Sequence, residues 1–141
     1  MTTPRYLGAH TAVPQPPDGH GALLLTSWFT STVEIFVNGA MVHDRPNYDI
    51  WIPPPSLRLD GAQAEVGWAP WWYPLSAGPH RVEITTPGPA MLDVEIAEGA
   101  VVALAYRADI RIRKDSTDGV VLEWAGTATL QHPRGVIGLV G

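Results

Sequence analysis

The stretch Val33-Glu34-Ile35-Phe36-Val37-Asn38-Gly39 constrains this chain more than any other. It alternates apolar and polar residues and then ends in Asn-Gly. That pair is preferred for a two-residue type I′ turn, because both residues must take positive φ. Closing a hairpin at Asn38-Gly39 pairs Val37 with Ala40, Phe36 with Met41, Ile35 with Val42 and Glu34 with His43. This register gathers Val33, Ile35, Val37, Ala40 and Val42 on one face and sets Glu34 opposite His43 on the other. A second stretch, Gly78-Pro79-His80-Arg81-Val82-Glu83-Ile84, follows the same logic: a turn glycine, then a strand with Val82 and Ile84 inward.

The remaining segments extend this pattern. Residues 21–30 read as a first strand whose two faces, Ala22/Leu24/Trp28 and Leu23/Leu25/Phe29, are both apolar, which predicts cover on both sides. Residues 48–52 read as a short strand stopped by Pro53-Pro54-Pro55, since proline cannot donate to a ladder. Asp60-Gly61 marks a small hairpin. Further on, Ala90/Leu92/Val94/Ile96 alternate with Met91/Asp93/Glu95, and Ala100/Val102/Leu104/Tyr106 continue after a three-residue turn at Ala97-Glu98-Gly99. Thr117-Asp118-Gly119 repeats the device between strands at 107–114 and 120–124. Residues 127–131 add a last strand. No stripe with helical period has useful length.

The reading is an all-β chain, an antiparallel β-sandwich of about seven to nine strands without significant helix. Residues 1–20 are expected to be a flexible proline-rich leader, 21–134 the sandwich domain, and 135–141 an apolar tail or edge strand. The expected core is Leu24, Ile35, Val37, Val42, Ile50, Val82, Ile84, Leu92, Val94, Val102, Leu104, Ile110, Leu122 and Trp124.

Composition fits this and excludes several functions. The chain has 141 residues, enough for one two-layer domain, with 14 glycines and 14 prolines to supply turns. With no cysteine there is no disulfide, no thiolate zinc site and no thiol nucleophile. A net charge of −5 argues against a nucleic-acid surface, which needs a basic stripe. No run reaches the ~20 apolar residues of a spanning helix, and nothing resembles a secretory signal. The expected location is the cytoplasm, with membrane association left open.

Between residues 31 and 106 the order is strand, Asn38-Gly39, strand; then Leu75-Ser76-Ala77-Gly78-Pro79-His80-Arg81-Val82-Glu83-Ile84; then strands around Glu98-Gly99 ending at Tyr106. This order resembles the PEGA-type modules of bacterial proteins. The Pro-Glu-Gly-Ala tetrapeptide itself is absent, and a Trp-rich segment precedes Gly78. The resemblance implies a non-catalytic β-sandwich module and transfers no site residues.

Candidate chemistry is sparse. There is no Gly-x-Ser-x-Gly elbow. The five histidines form no i, i+2 or i, i+4 pair, so neither a metal site nor a cofactor is expected. His80 is expected to contact a neighbouring loop. Arg107, Arg111 and Arg113 form a strip interrupted by Asp109, read as a solvated face that discourages edge pairing. Only Trp68, Trp71, Trp72 and Tyr73, in a loop-like segment between Pro70 and Pro74, are left over. They either cap the sandwich or form a binding surface, since Trp and Tyr are favoured anchors. The expectation is a non-enzymatic binding or assembly module that contacts a protein partner or itself, through this aromatic segment or an open sheet edge. The alternative is a carbohydrate-binding module that stacks exposed Trp rings on sugars.

Overall fold

The computed structural model describes residues 4–7, 12–46, 52–115 and 121–132. Among them the chain is all-β, with no helix and with two sheets packed together. The larger sheet holds six strands: β1 (Arg5–Tyr6), β2 (His20–Val37), β3 (Ala40–Pro46), β6 (Pro70–Ser76), β9 (Val101–Asp115) and β10 (Val121–Gln131). Its order is β1-β6-β2-β9-β10, with β3 pairing β2 beyond the end of β6. The smaller sheet is β5 (Ala62–Ala64), β4 (Leu57–Leu59), β7 (Gly78–Ile84) and β8 (Ala90–Ile96), in that order. The described strands number ten, slightly above expectation, because β1, β4 and β5 are only two or three residues long.

Both predicted two-residue turns form. Asn38 and Gly39 take φ of 51° and 78°, and Asp60 and Gly61 take 53° and 83°, as a type I′ turn requires. Beyond the first turn the register differs from expectation. Val37 and Phe36 pair with Ala40 and Met41, but Ile35 then faces His43, and Glu34 faces Asp44 rather than His43. A β-bulge at this point adds Val42 as an extra residue, and a bulge re-aims the side chains that follow it. Val42, expected in the core, is therefore exposed (59%); Val37, also expected there, keeps its pairing with Ala40 next to the turn and is exposed as well (38%).

The centre of the larger sheet is a parallel pair. β2 and β9 run side by side from Ala22↔Val101 to Phe36↔Asp115, while every other described pairing is antiparallel. Parallel neighbours need a long crossover, and here the whole smaller sheet lies within it. The turn Ala97-Glu98-Gly99 forms with Gly99 at φ 76°, and the Ala100 amide donates to the Ala97 carbonyl. It does not close a hairpin, however. It carries the chain from β8 in one sheet to β9 in the other, where the Gly99 amide donates to His20. β6 and β7 are likewise linked across the sheets at Ala77. Residues 21–30 and 33–37 belong to one continuous β2, because Thr30-Ser31-Thr32 suits an extended chain as well as it suits a loop.

The core lies between the sheets. Leu23, Leu25, Tyr73, Val82, Ile84, Val94, Ile96, Leu104, Tyr106, Ile110 and Ile112 are buried in it, with Ile35, Leu92 and Val102 packed at its margin. Leu24 instead joins a small cluster with Leu7, Ala22, Trp72 and Val101. Part of the expected leader is thus docked: Arg5 and Tyr6 pair with Trp72 and Trp71, and the Leu7 amide donates to the Pro70 carbonyl. The expected strand at 48–52, the side chains of Ile50, Leu122 and Trp124, the Thr117-Asp118-Gly119 turn and the tail 135–141 lie outside the described residues. Ile52 itself is buried.

Candidate functional site

The aromatic segment is a strand, not a loop. Trp71, Trp72 and Tyr73 lie in β6, between β1 and β2, with Pro70 and Pro74 inside the strand. Alternation sends Trp71 and Tyr73 to the inter-sheet core and Trp72 to the opposite face. Trp72 and Tyr73 are only 2% and 1% exposed. The Tyr73 hydroxyl donates to the Glu65 carbonyl at 2.6 Å; burial raises its pKa, and the Glu65 charge raises it further. Trp68, just before the strand, places its indole Nε1 3.2 Å and 3.1 Å from the carbonyls of Ile52 and Pro53. Its ring packs edge-on against Phe29 and parallel to Tyr106. Trp71 stacks on Tyr73 and meets the edge of Tyr6. The structure brings Trp68, Trp71 and Tyr73 into the inter-sheet core and sets Trp72 apart on the other face, where it packs with Leu7 of the N-terminal segment.

The polar pairs read the same way. His80 reaches the neighbouring turn, with Nδ1 2.5 Å from Asp60 Oδ2 and Nε2 2.7 Å from the Ser76 carbonyl. Both partners accept, an arrangement that favours the charged imidazole, in which both ring nitrogens donate. Burial alone would lower its pKa, but the bonds to Asp60 and Ser76 and the charges of Asp60 and Glu95 raise it. The Asp60 carboxylate is held below its usual range, mainly by the Arg81 amide and then by His80. Neither ring nitrogen faces a nucleophile. Among the described residues no three His, Asp or Glu side chains gather as a metal site.

Arg107, Arg111 and Arg113 are exposed as expected, but β9 lies between β2 and β10 and is no edge. The strip therefore shields no open ladder; Arg107 lies 3.7 Å from Asp109, and Arg113 lies over the Phe36 ring. A cleft of about 240 Å³ between Ile52, Pro53, Pro54, Thr86, Pro87, Ile110 and Gly126 is mostly apolar. It offers no converging polar groups that would orient a ligand.

Exposed apolar side chains gather instead on the β2–β3 hairpin. Val37, Met41 and Val42 are all exposed, and among the described residues β3 pairs only with β2. The edge of the other sheet is different: β8 directs Asp93 and Glu95 outward beside the exposed Met91, and such charges discourage strand addition. The sequence reading missed this contrast because the regular register buries Val37 and Val42. It also missed Trp28, assigned to a covered face of β2 yet 42% exposed. The signal lay in Arg107 and Asp109, but only the parallel β2–β9 pairing places them beside it.

Comparison with protein-family models, with curated proteins and with solved structures returned no match. No helix among the described residues is long and apolar enough to cross a membrane.

Proposed function

We propose that this β-sandwich is a non-catalytic assembly module, whose contact element is the open β3 edge and whose partner is a second copy of the chain. The supporting observation is the exposure of Met41 and Val42 on β3, and of Val37 across the turn in β2, with the second flank of β3 unpaired among the described residues. A free strand edge presents unpaired amides and carbonyls at regular spacing, so it is a template for another strand. An identical edge satisfies it antiparallel about a two-fold axis, the commonest symmetry of homo-oligomers. Apolar side chains beside that ladder add area that leaves water on contact. The resemblance of residues 31–106 to PEGA-type modules points to the same non-catalytic class.

The test is mass in solution by light scattering for wild type, Met41→Lys and Val42→Lys across a concentration series. The expected result is a concentration-dependent dimer in wild type and a monomer in both variants, with unchanged thermal stability. Wild type that stays monomeric throughout would contradict self-assembly.

A further inference from the structure

We propose that the outer face of the larger sheet carries a binding site for a neutral saccharide, built around Trp28. This goes beyond the edge contact and uses a different surface. A shallow groove of about 360 Å³ lies there, lined by Trp28, Ala105, Arg107, Asp109, Thr129 and Gln131. Its volume falls near the lower end of ordinary small-ligand pockets, about 300–1,000 Å³.

The strand register builds the groove. Trp28 of β2 sits beside Arg107 of β9, which sits beside Thr129 of β10. In the next row Thr30 is beside Asp109, which is beside Thr127, and in the row on the other side Thr26 is beside Ala105, which is beside Gln131. Strands lie about 4.8 Å apart, so Trp28 and Thr129 are separated by roughly 10 Å, with Arg107 between them. Ala105 is small and buried, and it leaves a depression where a larger residue would fill the face.

Each part suits a sugar. The indole is the large apolar surface of the groove, and its electron-rich face attracts the C–H-bearing face of a pyranose. Around it stand a guanidinium, a carboxylate, a hydroxyl and an amide, which between them donate to and accept from hydroxyl groups. The carboxylate is positioned in advance: the Thr30 hydroxyl donates to Asp109 Oδ1 at 2.5 Å, and Arg107 Nη2 lies 3.7 Å from the same oxygen. Such ordering lowers the cost of binding. The Arg107 and Asp109 charges offset each other locally, which favours a neutral ligand over a phosphate, a uronate or a cation. A site that combines one ring with several hydroxyl partners and no net charge selects saccharides from other small polar molecules.

The test is native affinity electrophoresis through gels containing xyloglucan, laminarin, galactomannan or soluble starch, with polygalacturonate as the acidic comparison. Retardation in at least one neutral gel is expected. Titration calorimetry with oligosaccharides of that polymer should then show binding weakened at least about tenfold in Trp28→Ala, in line with the loss of one aromatic stacking contact. Gln131→Ala alters an exposed edge of the same groove and should weaken binding too, so the test survives if Trp28→Ala fails to fold. Val42→Lys should bind as wild type does, separating this site from the assembly edge. No retardation in any neutral gel, retardation in polygalacturonate alone, or equal affinity in the folded groove variants would overturn the proposal.

Discussion

The Tyr106 hydroxyl donates to the Gly88 carbonyl at 2.6 Å and accepts from the Gly88 amide at 3.0 Å, so one side chain satisfies both main-chain groups of a buried residue. This fixes the loop after β7, which contains the cis Thr86–Pro87 peptide, against the larger sheet. Tyr106→Phe leaves both groups without that partner, and a buried unsatisfied polar group costs about 1–3 kcal/mol. Urea unfolding should show a loss of that size with the slope unchanged. Equal stability of wild type and variant would contradict the role assigned to this contact.

The same loop meets β10 at Gly126. A methyl group there would lie 2.3 Å from the Pro87 carbonyl oxygen and 2.9 Å from its carbon, both main-chain atoms. Neither can move without shifting the loop, so Gly126→Ala should destabilise by about 1–3 kcal/mol, as overpacking does. Gly88→Ala should behave alike, since its methyl would meet main-chain and side-chain atoms of Thr127 and Ala128. Thermal unfolding of both variants is the check.

Ser27 faces the opposite situation. It is buried, and among the described residues its hydroxyl has no hydrogen-bond partner. Burying a hydroxyl in this way is costly, so Ser27→Ala should be neutral or stabilising, by up to about 1 kcal/mol. A loss greater than that would mean that the hydroxyl has a function.

None of these details is written in the sequence alone. The turns at Asn38-Gly39 and Asp60-Gly61 and the inward set Val82, Ile84, Val94, Leu104 and Ile110 were legible, because turn chemistry and alternation are local. The parallel β2–β9 pair was not, since the alternating pattern of a strand does not name its neighbour. Nor was the bulge that exposes Val42, because Asn-Gly sets only the first pairs of the register. The four aromatics were legible as a sequence feature, but not their division between the two faces of β6. Their place inside the fold depended on the strand character of β6, which two prolines disguise.

The His80–Asp60 pair gives a pH dependence. The His80 pKa is raised in the fold, so its contribution is full below the unfolded value of about 6.5 and is lost as pH rises through the folded value. The Asp60 pKa is lowered, so its contribution is full above about 3.9 and is lost as pH falls through the folded value. The stability gap between wild type and His80→Gln should therefore be widest between about pH 4 and 6.5 and should shrink by pH 9. Asp60 is nearly half exposed, and solvent screening keeps the gap small. A gap that widened with rising pH would contradict this assignment.

Assembly through β3 can be read at the strand itself. Hydrogen–deuterium exchange of the backbone amides at residues 40–45 should slow as protein concentration rises, while exchange at the β8 edge stays constant. In Val42→Lys the slowing should disappear. Exchange along β3 that is independent of concentration in wild type would contradict the claim that this edge joins two copies of the chain.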